Sequence, residues 1–145
     1  TNDAYHMCAM DLEGTAARNA IYQCLERSQL KPTDIDYIHA HGTSTPLNDR
    51  RESQLIQQIF PDGVAISSTK GATGHTLGAS GAVGIALCLK AIATQILPPC
   101  VGLKQPEFDL DLVTTARSTQ VNSLLCLSFG FGGQNAAIAL RKWQP

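Results

Sequence analysis

GASGAVGIALCLKAIATQI, residues 78–96, decides the architecture. Only Ser80, Lys90, Thr94 and Gln95 interrupt a surface that is otherwise apolar or small. The stretch is predicted to be one long helix from Gly78 to Ile96, ended by Pro98-Pro99. A helix apolar around its whole circumference is buried around its whole circumference. Gly81 and Gly84 each cost up to about 1 kcal/mol in helix propensity relative to alanine, and both allow another backbone to come close. One α/β layer system of 145 residues can cover only one side of such a rod. The other side calls for a second domain, a second subunit or a further part of the same protein.

Immediately upstream, VAISSTK (64–70) reads as a strand and GATGHT (71–76) as a turn into the helix. Farther back, Ala17, Ile21, Cys24 and Leu25 recur at helical spacing within Gly14–Leu30, with Pro32 just beyond the end. DIDYIHA (34–40) is apolar on both faces at its centre, as a strand of a covered, mostly parallel sheet is. It runs into the polar loop HGTSTPLND (41–49), and Arg50–Phe60 follows as a short helix with Leu55, Ile56 and Ile59 inward. Downstream lie a short strand near Leu112–Thr114 and two closing strands, Val121–Phe129 and Ala136–Arg141, flanking the glycine turn GFGGQN as a hairpin. The order predicts an α/β fold: a mixed, mostly parallel sheet with an antiparallel C-terminal hairpin and one buried helix.

With 43% hydrophobic and 16% charged residues the chain has a globular composition, and a net charge of -1 without a basic run argues against nucleic acid or an acidic membrane as partner. Five cysteines at wide spacings, with no C-x-x-C pair, point to a reducing compartment. No secretory signal pattern stands at the N-terminus, so the expectation is a cytoplasmic chain that neither enters nor crosses a membrane. TNDAYHM does not read as an initiation region and suggests the middle of something longer.

The residues fit for chemistry converge on the carboxyl ends of strands, where open α/β sheets bind ligands. His41 follows DIDYIHA, Lys70 ends VAISSTK, and Phe131 lies beyond the strand ending at Phe129. His75 stands just ahead of the long helix, whose partial positive terminus favours a neutral imidazole. A neutral imidazole donates to a developing oxyanion from one nitrogen and accepts a proton at the other. Thr43, Ser44 and Thr45 supply short hydroxyls for an amide-bearing or phosphorylated ligand. His39-x-His41 offers only two metal ligands with no third nearby, GATGHTLG lacks the ending of a phosphate-binding loop, and GFGG is too short for a dinucleotide fingerprint. Phe129 and Phe131 read equally as hairpin core or as part of a mobile loop.

HAHGTSTPLND (39–49), SSTKGATGHTLGASGA (67–82) and LSFGFGGQNAAIAL (127–140), in this order and at these intervals, resemble the β-ketoacyl synthases of fatty-acid and polyketide assembly, and specifically their C-terminal half. The resemblance implies one half of a thiolase-like fold spanning residues 1–145, with the N-terminal half and its nucleophilic cysteine elsewhere and the first central strand of this half absent too. His41 and His75 then look like the two active-site histidines and Lys70 like the active-site lysine. Thr43 and Thr45 look like the hydroxyls that hold phosphopantetheine, and Phe131, with Phe129, like the gating loop. Asp49 and Glu52 match a neighbouring loop that meets the gate. The reaction implied is a decarboxylative Claisen condensation of an acyl-cysteine with a malonyl thioester, with no cofactor bound by the chain and the substrate carried on the phosphopantetheine of an acyl carrier protein. The implied partners are the missing half or a complementary chain, the carrier protein, and a second protomer in a homo- or heterodimer. Alone, the chain is expected to be inactive. The competing expectation is a non-catalytic partner of the chain-length-factor type. Two residues depart from the family pattern: Gly84, where many stand-alone enzymes have glutamate, and His39, where Glu or Asn is more usual.

Overall fold

The computed structural model describes residues 1–7, 11 and 13–143. Cys8 lies outside them. The chain begins with a terminal segment and helix α1 (Thr15–Arg27), whose Ala17, Ile21 and Leu25 are buried. A turn of 3-10 helix at Pro32–Asp34 follows, its Asp34 carboxylate accepting the Lys31 N–H at 2.8 Å. The strand expected over 34–40 is therefore shortened to β1 (Tyr37–His39).

Helix α2 (Pro46–Ile59) starts four residues earlier than the expected Arg50. Proline at its first position is preorganised for a helix, with Thr45 extended before it, so the polar run from Pro46 to Asp49 is helical rather than loop. Strand β2 (Ala65–Ser67) precedes a single helical turn, α3 (Lys70–Thr73), where a plain turn was expected. The long helix α4 (Ser80–Thr94) follows a 3-10 turn at Leu77–Ala79. Its end is made not by Pro98-Pro99 but by Gln95 at φ 56, whose side-chain carbonyl accepts the Val121 N–H at 2.9 Å. Two short strands the sequence did not signal, β3 (Ile96–Leu97) and β5 (Arg117–Ser118), pair antiparallel as a separate ribbon. Between them in the chain lies β4 (Asp111–Leu112), where the short strand was expected. The hairpin β6 (Ser123–Gly130) and β7 (Gln134–Arg141) closes the chain.

The main sheet runs β4-β2-β1-β6-β7, parallel except for the final β6–β7 pair. β1 holds the centre, between β2 and β6. A central strand needs apolar residues on both faces, and DIDYIHA has them. The first residues join the outer edge instead, Asn2 bridging Gln134 while the Asn135 N–H donates to the Thr1 carbonyl at 2.9 Å.

Ile38, Ile66, Leu125 and Leu127 pack toward α1 and α2, whereas Tyr37, Leu124 and Cys126 pack with Cys88 and Ala91 of α4 on the other face. Only Gly84, Cys88 and Ala91 of α4 are buried. Ala82, Ala86, Leu89 and Ala93, a stripe at helical spacing, are exposed on the side away from the sheet. This chain thus covers one flank of the helix, as its circumference implied. Leu77–Thr94 is also long and apolar enough to cross a membrane by length and composition. Here it lies along β6.

Candidate functional site

β1 delivers His41 to the carboxyl edge of the sheet, where the chain turns sharply through Gly42 at φ +47. A Cβ at Gly42 would fall 2.5 Å from the Ser68 side chain, so only glycine fits. Glu52 of α2, 3% exposed, accepts the N–H of His41 at 2.7 Å on one carboxylate oxygen and the N–H of Gly42 at 2.8 Å on the other. The Asn48 amide adds a third bond to that carboxylate at 3.1 Å. Lys70, the first residue of α3, donates its ammonium to the carbonyl oxygen of His41. The peptide unit between His41 and Gly42 is thereby held at both ends, its oxygen by a cation and its N–H by a carboxylate.

His75 faces His41 edge-on, with ring centroids 5.8 Å apart and planes at 82°. Its Nδ1 accepts the Leu77 N–H at 3.0 Å and lies 3.2 Å from the Ser80 hydroxyl. Since a backbone N–H can only donate, a neutral His75 carries its proton on Nε2. The residue thus presents an N–H, the group that stabilises a developing oxyanion. Phe129 closes the floor of the site, its ring centroid 5.6 Å from that of His41.

Burial, with Lys70 and His75 adding to it, pulls the His41 imidazole down to about 3. It is neutral near pH 7, and its Nδ1 is buried without a hydrogen-bond partner among the described residues. Burial also lowers Lys70, opposed by Glu52, Cys126 and Asp49, and raises Glu52, opposed by the amides it accepts. The imidazole of His41, followed by NMR, is expected to stay neutral as the pH falls from 7 to 4, although the unfolded chain titrates near the ordinary value of about 6.5. Protonation with a midpoint near that ordinary value would contradict the burial seen here.

Thr43, Ser44, Lys70, His75 and Cys100 share a cleft of about 660 Å³ that runs on toward Leu103 and Phe108. The Thr43 and Thr45 hydroxyls are 3.1 Å apart. Asp49 and Glu52 need correction: both sit on α2, not on a loop that meets the gate, Asp49 because the helix begins at Pro46 and Glu52 because it lies within the helix and is buried. Asp49 accepts the Ser44 N–H at 3.2 Å, and Glu52 lies beneath His41. The two phenylalanines separate as well. Phe129 is core, and Phe131 is 75% exposed on the turn where Gly132 and Gly133 adopt φ 75 and 76. The sequence reading did not single out the wall formed by Cys100 and Val101. Its signal was Gly71, a residue with no side chain directly after the lysine.

Residues 1–104 match the family model described as "Beta-ketoacyl synthase, C-terminal domain". Over 99% of its length the chain is 44% identical to a 3-oxoacyl-[acyl-carrier-protein] synthase 2 of Synechocystis sp. (strain ATCC 27184 / PCC 6803 / Kazusa), covering 36% of that protein. Among solved structures it is similar to the ishigamide ketosynthase/chain length factor, with a TM-score of 0.93 and 30% identity over 99% of this chain and 36% of the other. It is also similar to a chain of AntDE:AntF, a type II PKS acyl-carrier protein in complex with its ketosynthase bound to the hexaketide, with a TM-score of 0.89 and 35% identity over 99% of this chain and 37% of that one. The fold is that of the thiolase-like ketosynthases, and the chain spans little more than a third of the length of these relatives.

Proposed function

The chain belongs to the β-ketoacyl synthase family, as its C-terminal domain, and from that premise we propose that it supplies the decarboxylation and enolate-stabilising groups of a complete condensing enzyme. In this reading the malonyl thioester loses carbon dioxide and the electrons of the broken carbon–carbon bond pass to a thioester enolate. The enolate oxygen takes hydrogen bonds from the imidazoles of His41 and His75. Its carbon then attacks the acyl group on a cysteine contributed from outside this chain, expelling the thiolate. Lys70 fixes His41 through its carbonyl and adds positive charge beside the departing carboxylate.

The observation that carries the reading is the meeting of His41, His75 and Lys70, with two imidazoles 5.8 Å apart and the lysine on the His41 carbonyl. In this reading Thr43 and Thr45 hold the phosphopantetheine arm of a carrier protein, and Phe131 is the gating residue of its loop. The domain acts in the cytoplasm, binds no cofactor of its own, and works with an N-terminal half or complementary chain in a dimer. The exposed stripe of α4 supports the need for such cover.

The test is release of carbon dioxide from malonyl–carrier protein. The complete protein is expected to decarboxylate and, given an acyl thioester, to condense, while residues 1–145 alone do neither. Turnover by the isolated chain would refute the division of labour. A second reading, a non-catalytic partner of the chain-length-factor type, is favoured by the similarity to an assembly with that name. The residue at the nucleophile position of the complete protein separates them: a cysteine there supports the enzyme, and any other residue the partner.

A further inference from the structure

Beside the site lies a buried group that the reaction as described does not use. His39, the last residue of β1, is 3% exposed and turns its ring to the α4 face of the sheet. Helix α4 comes closest to it at Gly84, where a Cβ would stand 2.9 Å from the Cys126 sulfur and 3.1 Å from the His39 ring. The imidazole therefore occupies a notch that any side chain at position 84 would fill. Its Nδ1 is 4.0 Å from the Cys126 sulfur, and its Nε2 is 3.0 Å from the Thr69 hydroxyl.

Thr69 gives that contact its meaning. It is 6% exposed, stands at φ -90 and ψ 0 in a sparsely populated backbone region, and opens α3 without a capping bond from its own side chain. Its carbonyl accepts the N–H groups of Ala72 and Thr73 at 2.9 and 3.0 Å. Lys70 is the next residue, and its ammonium ends on the His41 carbonyl.

We propose that His39 is a positioning residue for Lys70, holding the Thr69 hydroxyl and with it the start of α3, and that Gly84 is glycine because the His39 ring needs its space. The groups acting on Lys70 are then the His41 carbonyl, Glu52 and Asp49 from α2, Cys126 from β6, and the His39–Thr69 bond that sets where the lysine starts. Only the kinetic arm of the test below rests on the function proposed above.

Four variants of the complete protein separate a hydrogen-bonding role from simple filling of space. His39→Gln returns an amide nitrogen near the position of Nε2, His39→Phe keeps a ring without the bond, Thr69→Val removes only the hydroxyl, and Gly84→Ala pushes on the ring. The first readout is the pH midpoint at which Lys70 becomes reactive toward an amine-acylating reagent, followed by peptide mass spectrometry. Burial lowers Lys70 in the native site, so release of α3 toward water raises the midpoint. The midpoint is expected to rise in His39→Phe, Thr69→Val and Gly84→Ala and to stay in place in His39→Gln. In malonyl decarboxylation, His39→Phe and Thr69→Val are expected to lower kcat by about tenfold with KM within about twofold, and His39→Gln to stay within about threefold of the parent. Equal behaviour of the Gln and Phe variants, or an unmoved midpoint in Thr69→Val, overturns the proposal. A midpoint that moves as expected in a protein without decarboxylase activity upholds the positioning role and removes the catalytic reading instead.

Discussion

Alanine in place of Lys70 or His75 is expected to slow malonyl decarboxylation by the complete enzyme by about 10²–10³-fold, the range for removing a group aimed at developing charge. Transfer of an acyl group to the cysteine should fall by much less. The difference follows from where the charges are. In His75→Ala the N–H at Nε2, fixed by the Leu77 N–H at 3.0 Å on the opposite nitrogen, is gone from the place proposed for the enolate oxygen. In Lys70→Ala the His41 carbonyl loses its cationic partner, while Glu52 still holds the two N–H groups. The histidine then keeps its peptide anchor on one side only. In the proposed division of labour, acylation of a cysteine outside this chain develops its charge at a different carbonyl. Separate half-reaction assays, carbon dioxide release and covalent acyl-enzyme formation, are the measurement, and equal losses in both would count against these roles.

Gly71→Ala is the second large effect. The new Cβ would lie 1.9 Å from the carbonyl oxygen of Val101 and 2.9 Å from its carbonyl carbon. These are backbone atoms, so no rotamer relieves the clash. The opposing segment is tied down: the Cys100 N–H donates to the Val113 carbonyl at 2.8 Å, and the Ser68 N–H approaches the Cys100 sulfur at 3.4 Å. The adjustment falls on α3, the turn that starts with Lys70. A loss of about 1–3 kcal/mol is the usual cost of forced overpacking, and decarboxylation should drop with it because the lysine moves. Gly78→Ala is the control, since nothing lies within 4 Å of its Cβ position. Thermal unfolding and carbon dioxide release by the two variants should differ clearly. A Gly71→Ala protein as stable and active as Gly78→Ala would show that the wall at Val101 yields freely.

Much of the site was legible before any coordinates. His41, Lys70 and His75 each stand at the end of an apolar strand or the start of an apolar helix, and parallel strands put such ends on one edge of a sheet. The hairpin was legible for a similar reason, two apolar runs around a glycine turn. The two-residue strands β3 and β5 were not, because so short a segment carries no period. The place of Asp49 was misread through Pro46: taken as loop, the proline left Asp49 outside the helix, whereas Pro46 is its first residue; Glu52 lay inside the expected helix, but nothing local showed that it turns inward beneath His41.

By itself the sequence determined the longer strands and helices, that one helix needs cover on more than one side, and which residues are candidates for chemistry. Those properties are local or periodic, and composition at fixed spacing suffices to express them. Only the tertiary structure decided that β1 is the centre of the sheet, that Glu52 and Lys70 grip opposite ends of one peptide, and that His39 rests in the space left by Gly84. These are meetings between residues far apart in the chain, set by sheet order and by a helix lying close on a strand, and no local pattern encodes which partner will arrive.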